Sequence, residues 1–293
     1  MAMQAPKEKI IYTVMINCSK EKKPDSLATI DVDPSSPNYS KIIHKLDMKY
    51  IGDELHHFGW NACSSCCNDP NKVRRYLVIP GLKSSRIYII DTIKPTSPSI
   101  YKIIQPEVIK NHDLSSPHTV HCLADGNVMI SFLGNARGEA PGGFLLLNSN
   151  FNVKSKWGNF DGFNLNYDFW YQPYHNIMVS SEWAAPKTFF SGFDLQDVEK
   201  GKYGRSISFW NWKEQTLIKK VDLGAEGQIP LEVRFHHNPK STHGYVGAAL
   251  SSAIWHWWKA DDGDWKIEKA IQVDPVDLES WPMPVPSLIT GIY

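Results

Sequence analysis

The sequence predicts an all-β chain of the β-propeller class, built from blades of about four strands. Three observations predict it. A strand–turn–strand plan recurs five times along 293 residues. Shorter strand pairs fall between successive copies, and helical periodicity is scarce. Eleven Trp and twelve Tyr agree, because aromatic side chains suit pleated surfaces.

The first copy is LATIDVD, a turn PSSPN, then YSKIIHKL. SRIYIIDT with SIYKIIQP repeats the plan, as do GGFLLLNS with NVKSKW, SISFWNW with TLIKKVDL, and AIWHWWK with WKIEKAIQV. Each alternates apolar with polar residues around a polar turn, the mark of a hairpin. Asp33, Asp91, Asn148, Trp212 and Lys259 close the first strands, at spacings of 58, 57, 64 and 47 residues. Between the hairpins, HCLADGNVMISFLG, QPYHNIMVSSEW and HNPKSTHGYVGAAL each read as a further strand, turn and strand. Units of four strands repeating every 40–60 residues or so are the signature of propeller blades. The regular spacing argues against the alternative, a β-sandwich with a small second domain. The one helix candidate is FDLQDVEKGKY at 193–203, with Asp194 as N-cap, an insertion between strands.

Five outer hairpins give about five blades. The closing apolar ITGIY reads as the start of another inner strand. A propeller closes by pairing its first and last blades, so the sequence reads as an incomplete, C-terminally truncated ring: one domain over 1–293, with a flexible 1–8.

Charge excludes several functions. Thirty-one basic and 31 acidic residues balance, and no long like-charge block occurs. This predicts neither nucleic-acid binding nor attraction to anionic lipid. The apolar IIYTVMI is too short for a secretory signal, and no run of about 18 apolar residues predicts a membrane span. Five cysteines, an odd and clustered set, favour metal or thiol chemistry in a cytosolic chain over a disulfide framework.

The chemistry concentrates in ELHHFGWNACSSCC, residues 54–67. His57-x-x-Trp60, His118-x-x-His121, Tyr167-x-x-Trp170 and Arg234-x-x-His237 fall at similar places in their repeats, on inner strands. Histidines from several inner strands converge on one metal if they face the axis, and imidazole suits Cu, Zn, Fe and Ni. Adjacent strand residues point to opposite faces. His56 and His57 therefore share an ion only outside regular strand, and the odd spacing of His118 and His121 raises the same difficulty. The competing reading packs one histidine of each pair against tryptophan. Cys63-Ser-Ser-Cys66-Cys67 holds one Cys-x-x-Cys without the second pair of a structural zinc site. It lacks the βαβ context of a redox motif, which leaves a soft-ligand site, a reactive thiol or a quiet buried pair. Glu54 and Glu182 are placed to orient a histidine. No phosphate loop and no G-x-S-x-G elbow occurs.

DELHHFGWNACSSC, SSRIYIID, HTVHCLADGNVMIS, YDFWYQPYHNIMVSSEWAAP, IPLEVRFHHNP and GYVGAALSS together resemble the selenium-binding protein family, which includes methanethiol oxidases. The resemblance runs from about residue 9 to 290 and corresponds to the N-terminal three fifths of a member. It implies a β-propeller that oxidises methanethiol with O2 and water to formaldehyde, hydrogen sulfide and hydrogen peroxide. It implies copper held through histidines, which by motif are His56, His57, His118 and His121, with a further family histidine beyond the matching segment. It implies selenium binding through cysteine, with Cys63 and Cys66 matching the family CSSC. A cysteine of some relatives falls on Ser40. A small pocket of Trp60, Trp170, Tyr171 and Trp183 would suit a methyl thiol. The implied location is the cytosol, with the nucleus and a peripheral membrane association besides, and with protein partners. The alternative is a non-catalytic selenium- or thiol-binding scaffold, because fold does not fix function.

Overall fold

The structure, a computed structural model, describes residues 6–63, 73–159, 161–280 and 284–292. It is all-β, with five antiparallel sheets of propeller-blade topology. The first has three strands, β1 (Ile10–Met15), β2 (Ser26–Asp31) and β3 (Ile42–Asp47), in that order. The other four each run as four-stranded meanders. They comprise β4 (Gly59–Trp60), β5 (Tyr76–Pro80), β6 (Ile87–Asp91) and β7 (Ser99–Ile104); β8 (Ser115–Cys122), β9 (Val128–Gly134), β10 (Gly143–Leu147) and β11 (Val153–Lys156); β12 (Phe169–Gln172), β13 (Ile177–Ser181), β14 (Ser206–Asn211) and β15 (Thr216–Asp222); and β16 (Pro230–Phe235), β17 (Gly244–Ala248), β18 (Ala253–Lys259) and β19 (Trp265–Gln272).

All five expected outer hairpins form: β2–β3, β6–β7, β10–β11, β14–β15 and β18–β19. The first strands of two of them, β6 and β10, are buried on both faces and read as nearly continuous apolar runs. The last strand β15 alternates exposed and half-buried residues throughout. That alternation is the period-2 pattern the sequence carries.

Among the described residues, three short α-helices interrupt the strands: α1 (Pro106–Lys110), α2 (Pro186–Phe189) and α3 (Leu195–Glu199). The expected helix at 193–203 survives as α3. Asp194 caps it, its side chain accepting the Gln196 N–H at 2.9 Å. Gly201, at φ +69°, stands just beyond it, a conformation that ends helices. The closing ITGIY forms no strand among the described residues. The Ile292 N–H is donated to the Glu232 carboxylate at 2.7 Å instead of to a ladder.

The chain divides into two compact units, Met1–Ile130 with Leu145–Ser155 and Ser131–Phe144 with Lys156–Tyr293. In the first, Leu27, Met48, Leu55, Leu77, Ile79, Tyr88 and Ile90 form a core. Full burial of each such side chain contributes roughly 1.5–3 kcal/mol. In the second, Ile177, Val179, Phe209, Val246, Trp257 and Trp265 do the same. Tryptophan is unevenly shared. Among the described residues, Trp60 lies in the first unit, and Trp157, Trp170, Trp183, Trp210, Trp212, Trp255, Trp257, Trp258 and Trp265 lie in the second. No helix among the described residues is long and apolar enough to cross a membrane.

Candidate metal centre

Three histidines of the first unit meet. His56, His57 and His118 each offer a ring nitrogen, and these nitrogens all lie within 4.8 Å of one another. The ring centres are 5.1 Å apart for His56–His57, 4.8 Å for His56–His118 and 4.4 Å for His57–His118. His118 is fully buried, His56 half-buried and His57 exposed. Among the described residues no fourth His, Cys, Asp or Glu joins the group.

The geometry arises locally. His56 and His57 lie outside regular strand, between a single bridge at Leu55–Gly81 and the start of β4. The alternation that would turn them apart therefore does not apply. Glu54 takes a left-handed φ of +52°, uncommon for a residue with a Cβ. Bonds at every neighbouring residue hold it there. The Leu55 N–H is donated to the buried Asp25 carboxylate at 2.9 Å, and the His56 N–H to the Pro80 carbonyl at 3.0 Å. The Glu54 carbonyl accepts the Leu82 N–H, and the Asp53 carbonyl the Lys83 N–H. Asp53, wholly buried, takes the Arg86 guanidinium on one oxygen and the Tyr88 hydroxyl on the other.

Gly59 brings this segment to β8. A Cβ at Gly59 would sit 2.5 Å from the Val120 carbonyl oxygen and 3.1 Å from its Cβ. Only glycine permits that approach, and His118 lies one pleat from Val120 on the same face of β8. His121, at odd spacing, belongs to the opposite face and is not part of the group.

The environment keeps two of the imidazoles, those of His56 and His118, neutral. Burial pulls the His56 pKa down to about 4, the neighbouring His57 adds to this, and Glu54 opposes it. Burial again, then His57 and His56, holds His118 well below the usual range. His118 Nδ1 lies 3.0 Å from the Thr119 hydroxyl, which engages one ring nitrogen. A neutral imidazole is a metal ligand and an imidazolium is not. Three convergent imidazole nitrogens fit a borderline ion such as copper or zinc.

The family described as 56kDa selenium binding protein (SBP56) matches residues 1–293, the whole chain. The chain belongs to the SBP56 family. A methanethiol oxidase of Xenopus laevis is 50% identical over 297 residues, covering 99% of this chain and 63% of its own length. Selenium-binding protein 2 of Arabidopsis thaliana is 50% identical over 295 residues, covering 99% and 61%. A hypothetical selenium-binding protein of Sulfolobus tokodaii matches the structure with a TM-score of 0.91 at 43% identity, covering 96% of this chain and 64% of that one. The SBP56 chain thus spans less than two thirds of the length of each of these relatives.

The other expected site residues fall elsewhere. Cys63 is half-buried and outside the histidine group, and Cys66 lies outside the described residues. Ser40 closes the β2–β3 turn at φ +60°, its N–H on the Asp31 carbonyl. Glu54 pairs with Lys83 at 2.6 Å while acting on His56 through space. Glu182 pairs with Lys220 at 2.5 Å and accepts the Ser206 N–H. The aromatics expected to share one pocket have partners of their own. Trp60 meets Tyr12 edge-on, Trp170 lies 4.5 Å beneath Arg234, Tyr171 stacks on Trp212 and Trp183 stacks on Phe189. The sequence reading missed Asp25, Asp53, Gly59 and Thr119. The glycine directly before Trp60 in an inner strand was the one local signal available, since strand glycine marks close backbone approach.

Proposed function

We propose that His56, His57 and His118 hold copper and that the protein is a methanethiol oxidase. One methanethiol, one O2 and one water give one formaldehyde, one hydrogen sulfide and one hydrogen peroxide. The observation that carries this reading is the convergence of three imidazoles, two of which, His56 and His118, are held by burial in the neutral, lone-pair-bearing form. The family names of the relatives support it. Copper, when bound, supplies a one-electron couple and a soft partner for sulfur. The chain's residues do the rest. His118 anchors the site from the buried face of β8, with Thr119 Oγ1 holding its Nδ1. His56 is fixed by its backbone bond to Pro80. His57, exposed, leaves the open side by which a small thiol and O2 enter. The location that goes with this reading is the cytosol and nucleus, with peripheral membrane contact, and fractionation checks it.

The test is direct. The chain purified with copper should release hydrogen sulfide from methanethiol, with one formaldehyde per sulfide. Full copper loading without sulfide release would sink the oxidase reading.

A second reading has its own observation. Cys63 stands apart from the imidazoles, so a thiol that takes up selenium would act independently of the metal. In this reading the chain is a selenium-binding scaffold for protein partners, with Cys63 and Cys66 as the attachment points. Selenium retained by a Cys63→Ser, Cys66→Ser double variant would dismiss it.

A further inference from the structure

A second pair of imidazoles meets in the second unit. His243 Nδ1 and His256 Nε2 lie 2.7 Å apart, with their ring planes within 9° of parallel. Neither belongs to the group of His56, His57 and His118. The sheet register brings them together. Between β17 and β18, Tyr245 stands opposite His256 and Gly244 opposite Trp257. His243, one residue before β17, therefore comes opposite Trp258, on the face that carries Tyr245 and His256. The His236 N–H is donated to the His243 carbonyl at 2.9 Å, which carries the ladder past the end of β17.

His256 is held as a ligand would need to be. Its ring is flanked by Tyr245, at 5.0 Å and 28°, and by Trp258, at 5.0 Å and 16°. Two flanking aromatic rings restrict its rotamers, so little side-chain freedom remains to be lost on binding. Glu268 stands directly opposite on β19, with Oε1 3.4 Å from His256 Nδ1. A carboxylate at Nδ1 keeps the proton on that nitrogen and leaves the lone pair on Nε2. Metal-bound histidines are commonly backed by a carboxylate in this way. His236 is engaged otherwise, its Nδ1 accepting the Asn238 N–H at 3.0 Å.

With the His256 proton on Nδ1, the proton that bridges the pair belongs to His243 Nδ1. A metal ion can take its place. Tetrahedral zinc, with Zn–N bonds of about 2.0–2.1 Å, sets its nitrogens roughly 3.3 Å apart. The pair must open by little more than half an ångström, and His243 is exposed, so its ring can turn. The displaced proton moves to the other nitrogen of the same ring, and both imidazoles stay neutral.

We propose that His243 and His256 form a second metal site, an open one, for a borderline divalent ion such as zinc or copper. His243 Nδ1 and His256 Nε2 are the protein ligands, Glu268 fixes His256 from behind, and water fills the remaining positions.

Zinc titration calorimetry on the full chain tests it, against a His243→Gln, His256→Gln double variant. The wild type should take up one zinc more than the variant. His243→Gln alone, at an exposed position, should lose the same zinc while keeping the wild-type circular dichroism. Glu268→Gln should weaken that zinc roughly tenfold or more, the usual effect of losing the partner behind a ligand. The site is overturned if the double variant and His243→Gln bind as much zinc as wild type, or if Glu268→Gln leaves the affinity unchanged. Sulfide release from methanethiol reports separately on the first cluster. Release by the copper-loaded double variant together with unaltered zinc uptake sinks the second site alone, and pair-dependent zinc without sulfide release leaves the second site standing.

Discussion

Lowering the pH should unfold the metal-free chain through His56. The folded His56 stays neutral down to a pKa of about 4, whereas the unfolded residue titrates near 6.5. Between these values the unfolded state binds more protons than the folded one, so stability falls as the pH falls and levels off below about 4. A gap of this size amounts to roughly 3 kcal/mol in full, of which about 2 kcal/mol is lost between pH 7 and pH 5. His118 acts in the same direction, since burial also holds its pKa low. The assay is urea unfolding followed by far-ultraviolet circular dichroism, with chelator present, from pH 7 to pH 4.5. Carboxylates titrate in the same samples, so the informative quantity is the difference between wild type and His56→Gln. The wild-type curve should fall more steeply by about 2 kcal/mol over this window. Parallel curves for the two proteins would refute the claim that burial depresses this imidazole. Added copper should raise the stability most at pH 7 and steepen the wild-type curve, because protons displace it from the same nitrogens as the pH falls.

Two further outcomes follow from the geometry of the first unit. Gly59→Ala drives a methyl into the Val120 carbonyl and should cost about 1–3 kcal/mol by overpacking, while copper affinity falls as His56 and His57 leave His118. Unchanged copper affinity by titration would show that this approach does not place the histidines. Asp53→Asn leaves the buried Arg86 guanidinium without its carboxylate and should destabilise by about 3–5 kcal/mol in urea unfolding. A loss below about 1 kcal/mol would reduce the pair to the worth of a surface ion pair.

Much of the blade plan was legible because period-2 alternation and polar turns are local. The five hairpins, the Asp194 cap and the three inner strand pairs all rest on neighbours within a few residues. Proline announces α1 and α2 only after the fact, since Pro106 and Pro186 sit at first-turn positions that also suit extended chain. The site was legible in its residue types and only partly in its arrangement. Sequence spacing correctly warned that His118 and His121 face apart. It could not show that Glu54 would turn left-handed, because the cause is a set of partners 28 to 30 residues away, Leu82 on one side and Asp25 on the other. The partners of the aromatics were illegible for a related reason. Each of Trp60, Trp170, Tyr171 and Trp183 had a suitable ring or guanidinium nearby in its own unit, and a pair interaction of this kind is decided by tertiary neighbours.

The uneven distribution of tryptophan has a practical meaning. Indole emission from this chain comes almost wholly from the second unit, while the imidazole cluster lies in the first with Trp60 alone. A melt followed by fluorescence would therefore report the half that carries His243 and His256 and pass silently over loss of the half that carries His56, His57 and His118. The same asymmetry makes the molecule self-labelled. When emission and circular dichroism give the same midpoint, the two halves unfold together. When they diverge, the gap measures how far one half outlives the other, without any added probe.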